Sequence, residues 1–119
     1  MYNDPTLAQR LRGALESALG KDDVVIQEPI TPSEDFSYFI AQGVPGFYFS
    51  LGGADPGKYA QAKAAGENLP SNHSPLFAPD VDPALHTAIT AEVAVLRNLL
   101  QGKAEEWRKT TAEQTSRSH

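Results

Sequence analysis

The run Phe47-Tyr48-Phe49-Ser50-Leu51, led in by Val44-Pro45-Gly46, most limits what this chain can fold into. It is bulky on both alternating sides. A strand of that kind is normally covered on both faces, as in the parallel sheet of an α/β protein. The β-branched run Val24-Val25-Ile26 offers one partner strand, over residues 24–27. Between the two, Pro29 and Pro32 break the chain. Ser33 then reads as an N-cap, with Glu34 and Asp35 in a first helical turn, where the helix dipole favours acids. Phe36, Phe39 and Ile40 give that short helix an apolar face, and Gly43 ends it. Strand, short helix and strand make a right-handed β-α-β unit. Because an isolated strand pair is marginal in water, the expected fold class is α/β. The elements suit a fragment of a mixed or parallel sheet with flanking helices, one side of a larger domain.

The flanking helices announce themselves by their caps. Asp4 can satisfy orphan N–H groups, and Pro5 fits the first helical position. Leu7, Leu11, Leu15, Ala18 and Leu19 follow at helical spacing, and Gly20 is a natural stop. Arg10, Arg12 and Glu16 fall off that stripe and read as a solvated face. Asp82-Pro83 repeats the start signal, and Leu85, Ile89, Val93, Leu96 and Leu100 form the clearest apolar stripe in the chain. Helices are therefore expected over residues 5–19 and 83–100. Residues 52–68 are rich in Gly and Ala and read as loop, with a helical turn over 59–65. Residues 1–102 read as the folded segment. Residues 103–119 are polar and lose periodicity apart from Trp107, and are expected to form a disordered tail.

A length of 119 residues suits one small domain. The net charge of −5 argues against a nucleic-acid surface, which needs a basic face, and against docking on anionic lipid. The absence of cysteine excludes disulfides, thiolate zinc sites and cysteine nucleophiles. No apolar run approaches the ~20 residues of a membrane span. The opening Met-Tyr-Asn-Asp-Pro lacks the regions of a signal peptide. The compartment stays open, with the cytoplasm as default.

Three segments could carry chemistry. In Leu69-Pro70-Ser71-Asn72-His73-Ser74-Pro75, the two prolines bracket His73 and stiffen its turn. A loop histidine so held can aim one ring nitrogen at a metal or substrate, or can simply be solvated. Glu34 and Asp35 are adjacent carboxylates that serve either acid–base work or the helix dipole. Adjacent helical residues point about 100° apart, which keeps the two from sharing one site. Gly52-Gly53-Ala54-Asp55-Pro56-Gly57-Lys58 fits a phosphate-loop pattern after a strand. The next residue is Tyr59 where the pattern needs Ser or Thr for magnesium, and Pro56 removes an N–H from the cradle. His86, in the first turn of the last helix, reads as a partly buried histidine, and His119 as a solvated one. No Gly-x-Ser-x-Gly elbow supports a hydrolase triad.

Taken in order, Ser33-Glu34-Asp35-Phe36, then Val44-Pro45-Gly46 with the aromatic run to Leu51-Gly52, then Asn72-His73-Ser74-Pro75 resemble one known pattern. It is the C-terminal end of the metal-dependent amidohydrolase family of aminoacylases, hippurate hydrolase and related exopeptidases. Asn3-Asp4-Pro5 and its helix resemble the point where that family's chain re-enters the catalytic domain. The resemblance covers roughly residues 2–101. It implies an incomplete catalytic domain, and in the complete enzyme two divalent metals, zinc or manganese, activating water to cleave the amide of N-acyl amino acids or small peptides. His73 matches a metal ligand of the family. Ser33, Glu34, Asp35, Asn72 and Ser74 would support ligands or line the substrate pocket. Pro32 and Asn72 depart from the residues common at those positions. The family's other ligands and its general-base glutamate have no counterpart here, so no catalytic residue is assigned. Metal binding by this chain alone is expected to be weak or absent.

An incomplete sheet with apolar faces should seek company, either a second copy or the N-terminal part of such an enzyme. The alternative from another class is a non-catalytic interaction module derived from that fold. A phosphate-binding protein using residues 52–58 is the third reading.

Overall fold

The computed structural model describes residues 2–27 and 35–117, with side chains through residue 102. Its elements are α1 (Pro5–Leu19), one 3-10 turn (Lys21–Asp23), α2 (Ser37–Ala41), α3 (Pro56–Ala65) and α4 (Val81–Arg117). Two compact units arise, one of Met1–Tyr48 with Thr90–His119, the other of Phe49–Ile89.

In the first unit, α1 forms as its sequence predicts. The Asp4 carboxylate accepts the Leu7 N–H at 2.7 Å, Pro5 opens the helix, and the Asp4 carbonyl accepts the Ala8 N–H at 2.8 Å. Such a cap contributes about 1 kcal/mol. Leu11 and Leu15 on the apolar stripe are buried. Arg12 and Glu16 pair at 2.6 Å one turn apart on the partly exposed side, a contact worth a few tenths of a kcal/mol. Gly20 ends the helix at φ 103°, a region that favours glycine.

The start of α1 also holds residues 46–48. The Asn3 carboxamide donates to the Tyr48 carbonyl and accepts the Tyr48 N–H, both at 2.8 Å. The Asp4 N–H donates to the Gly46 carbonyl at 2.9 Å. Helix α2 packs nearby through Phe36, whose ring centroid lies 5.9 Å from Phe39 and 6.1 Å from Tyr48. Gly43 at φ 83° turns the chain out of α2. Its N–H reaches the Ile40 carbonyl and the Val44 N–H reaches that of Phe39, the paired bonds of a Schellman stop. Gly46 is buried, and a Cβ there would lie 2.5 Å from Ile40 Cγ1.

Helix α4 meets α1 through Arg10. The guanidinium donates through Nε to Asn98 Oδ1 at 2.6 Å and through a terminal nitrogen to the Asn98 carbonyl. The face of α4 turned inward in this unit is small: Ala91 is buried, and Ala94, Val95 and Asn98 are half-buried. Small side chains let helices approach closely. Val93, Leu96 and Leu100 remain 47%, 56% and 55% exposed. The helix begins at Val81 rather than Pro83, since the Ala84 N–H already bonds the Asp80 carbonyl at 3.1 Å. Pro83 is tolerated because first-turn N–H groups have no helical acceptor. Nor does α4 stop at Leu100; it continues through Gly102 to Arg117.

The second unit contains α3, the His73 turn and the opening of α4. The Asp80 N–H donates to the Gly53 carbonyl at 2.8 Å, tying the two ends of the unit's long loop. Helix α3 is longer than the expected turn over 59–65. Asp55-Pro56 starts it with the cap geometry of α1, the Lys58 N–H bonding the Asp55 carboxylate at 2.8 Å. Gly66 at φ 71° closes it with a second Schellman pair, Gly66 N–H to Lys63 and Glu67 N–H to Ala62.

The α/β expectation is overturned. The structure is helical, 59% helix, and the described residues contain no strand or sheet. Among the described residues neither the 24–27 nor the 47–51 run is a strand, and no β-α-β unit is found. The physical reason is the ladder. A strand exists only in a hydrogen-bonded ladder, and in the described residues the Tyr48 N–H and carbonyl are bonded to a side chain, Asn3. Val25 and Ile26 lie 81% and 78% exposed rather than covered. The Ser33 cap lies outside the described residues, and α2 begins at Ser37 after a turn at Asp35 and Phe36.

Two measurements probe these contacts. Gly46→Ala must displace Ile40 and should destabilise by about 1–3 kcal/mol. Gly52→Ala, with open space at its Cβ, should leave the thermal midpoint nearly unchanged; equal effects would refute the close packing. A Cβ at Gly102 would meet an Arg10 nitrogen at 3.1 Å. Gly102→Ala should therefore gain the usual helical advantage, about 0.5–1 kcal/mol, only in an Arg10→Ala background. An additive double-mutant cycle would show the Arg10 contact to be immaterial.

Candidate functional site

The turn that carries His73 is built from two consecutive reversals. The Ser74 N–H donates to the Ser71 carbonyl at 2.9 Å, placing Asn72 and His73 at the two central positions. The Phe77 N–H donates to the Ser74 carbonyl at 3.1 Å, placing Pro75 at the first central position of the next turn, where its fixed φ is favoured. The Ser74 hydroxyl oxygen accepts the Leu76 N–H at 3.1 Å, which locks the junction. Ser74 is half-buried, and Asn72 and His73 are exposed. Pro75 lies inside the second turn and Pro70 just before the first, and His73 is exposed.

Asp35 is exposed in the turn before α2, in the first unit, whereas Asn72, His73 and Ser74 belong to the second. Ser33 and Glu34 lie outside the described residues, as does His119. His86 is exposed on the first turns of α4 rather than partly buried. The structure brings together Asn72, His73 and Ser74, and supplies no placement of Ser33 and Glu34 beside them.

A metal centre requires converging donors. A catalytic zinc uses about three protein ligands and a water. Among the described residues no three His, Cys, Asp or Glu side chains converge. His73 can give one imidazole nitrogen, so these residues do not by themselves fit the dinuclear metal pair that the amidohydrolase resemblance implies.

The phosphate-loop pattern fares differently. An anion at the start of α3 needs free N–H groups. The Asp55 carboxylate stands there itself and takes the Lys58 N–H, while Pro56 has none to offer. The pattern is a capped helix start.

Beside the His73 turn lies a depression of about 150 Å³ lined by Asp55, Lys58, Leu69, Pro70, Leu76 and Phe77, among others. Sequence reading misses it because it treats 52–68 as loop. The signal was present: Asp55-Pro56 is the same start pair as Asp4-Pro5. The Ser71 carbonyl and Ser74 hydroxyl are a second omission, and Ser two residues before a turn N–H is a recognisable local motif.

The turn makes a testable demand on Ser74. In Ser74→Ala the Leu76 amide should lose its acceptor and exchange with solvent about tenfold faster, a change of roughly 1.4 kcal/mol. The residue-74 amide, still bonded to the Ser71 carbonyl, should change less. Equal acceleration at both amides would mean that the two turns open as one and that the hydroxyl lock is unimportant.

No protein-family model matches this chain, and no solved structure matches it.

Proposed function

We propose that this chain is a C-terminal piece of a dinuclear-metal amidohydrolase for N-acyl amino acids or small peptides, inactive alone, and that it supplies His73 as one metal ligand. The observation that carries the reading is the exposed His73 ring on a doubly closed turn. A ligand must be held in place and must stay open to donors from outside its own segment, and His73 meets both requirements. The ordered motifs at 33–36, 44–52 and 72–75 supply the reaction class.

Within this reading, Asn72 and Ser74 orient the His73 backbone. Ser33, Glu34 and Asp35 serve as ligand-supporting or substrate-lining residues. The remaining ligands and the general base come from another polypeptide, the N-terminal part of such an enzyme. Two divalent ions, zinc or manganese, would polarise the amide and activate water once that set is complete. This chain's own contribution is a positioned imidazole.

The test has two stages. Zinc or manganese titration of the chain alone should show weak binding that His73→Ala reduces further, with no hydrolysis of N-acyl amino acids. Mixing with the N-terminal part of a matching amidohydrolase should restore hydrolysis, and His73→Ala should abolish it. Tight metal binding or turnover by the chain alone would defeat the fragment reading. A stable but inactive complex would favour the interaction module, and a restored activity indifferent to His73→Ala would remove the ligand assignment.

A further inference from the structure

Helix α4 carries two unlike faces. Its small face, with Ala91 buried and Asn98 bonded to Arg10, is turned towards α1 in the first unit. Ile89, Val93, Leu96 and Leu100 recur at spacings of four, three and four. That is the alternation of the two seam positions in a heptad. All four are about half exposed or more, Ile89 at 62%. On a helical wheel at 100° per residue, Ala91 and Asn98 fall roughly opposite the centre of this row, so the contact with α1 leaves the row uncovered.

The charges beside the row suggest what covers it. Glu92 precedes the seam residue Val93 on one flank, and Arg97 follows Leu96 on the other, five residues later. Both are exposed. In two parallel helices in register, a residue on the first flank faces the residue five further on across the seam, and that position sets partner and orientation. Glu92 of each copy then meets Arg97 of the other. In an antiparallel pair over the same four residues, Glu92 falls opposite Leu99 of the second copy and the charges are left apart.

We propose that α4 pairs with α4 of a second copy, parallel and in register, through Ile89, Val93, Leu96 and Leu100, with Glu92–Arg97 pairs across the seam. The occupant is a second copy because the seam is complementary to itself: apolar rows meet apolar rows, and each acid meets a base. Four residues make a short seam against the ~800 Å² that each partner buries in a standard interface. The dimer is accordingly weak, with dissociation on the order of tens of micromolar. The proposal does not depend on the metal reading of His73.

Sedimentation or light scattering of the full chain from about 1 to about 300 μM should show the mass rise from one copy to two. Leu96→Glu should weaken the dimer at least tenfold. Glu92→Arg alone should weaken it several-fold, and adding Arg97→Glu should restore it to within about twofold, with unchanged helix content by circular dichroism. The chain has no cysteine, so single introduced ones report orientation cleanly. Val93→Cys should form a disulfide dimer on mild oxidation, and Gln101→Cys, off the seam, should not. One copy at every concentration, a dimer indifferent to Leu96→Glu and the charge exchange, or cross-linking through residue 101 in preference to residue 93 would overturn the proposal.

Discussion

The carboxamide of Asn3 stands where the peptide group of a neighbouring strand would stand. Its oxygen and nitrogen satisfy the N–H and carbonyl of Tyr48 together, and the next residue, Asp4, spends its own N–H on Gly46. This side-chain pairing satisfies both peptide groups of Tyr48 at the surface. The same few residues start α1, because Asp4 is also its cap. The pose of α1 and the course of the 46–48 segment are therefore one constraint. Gly46 belongs to it too: the missing Cβ is the space that Ile40 and Phe36 occupy.

The second governing feature is the choice of packing face on α4. A stripe of large aliphatic residues is ordinarily the side that a helix buries. Here the alanine side is turned inward in the first unit, and Arg10 holds it by forked hydrogen bonds to Asn98. Glycine inside a helix usually weakens it, yet Gly102 gives the Arg10 guanidinium its approach. The polar contact and the small residues act together. They leave the bulkier face of α4 exposed.

What the sequence discloses divides along physical lines. Features fixed within a few residues are legible. Asp4-Pro5 and the leucine spacing locate α1 at Pro5–Leu19, with Leu11 and Leu15 buried. Pro70 and Pro75 locate the His73 turn. Helix α3 is equally local, but the Gly and Ala content of 52–68 reads as loop and conceals the Asp55-Pro56 start. Its apolar residues also form no stripe to correct the error. The sheet fails for a different reason. The propensity of 47–51 for extended backbone is real, and burial still alternates along it, Phe47 and Phe49 half-buried with Tyr48 and Ser50 exposed. Among the described residues this segment is not a strand, because extended propensity is not itself a ladder. The role of His73 is of the same kind, because its turn is local but the donors that would define its chemistry are not.

Exposure unites these two non-local questions. Leu96 and Leu100 on α4 and the ring of His73 are all set at the surface by contacts that use other parts of the same elements. Such groups gain nothing from the fold that displays them. An apolar side chain in water forgoes the ~25 cal/mol per Å² that burial would return, and an imidazole on a rigid turn has already lost the freedom that binding would otherwise remove. Both therefore lower the free energy of association once a complementary surface arrives, the leucines through area and the histidine through preorganisation. The two need not share one partner. A seam that matches itself selects a second copy, whereas a single imidazole selects a surface rich in the donors it lacks. Because the α4 row and the His73 turn use different residues, one association does not by its chemistry preclude the other.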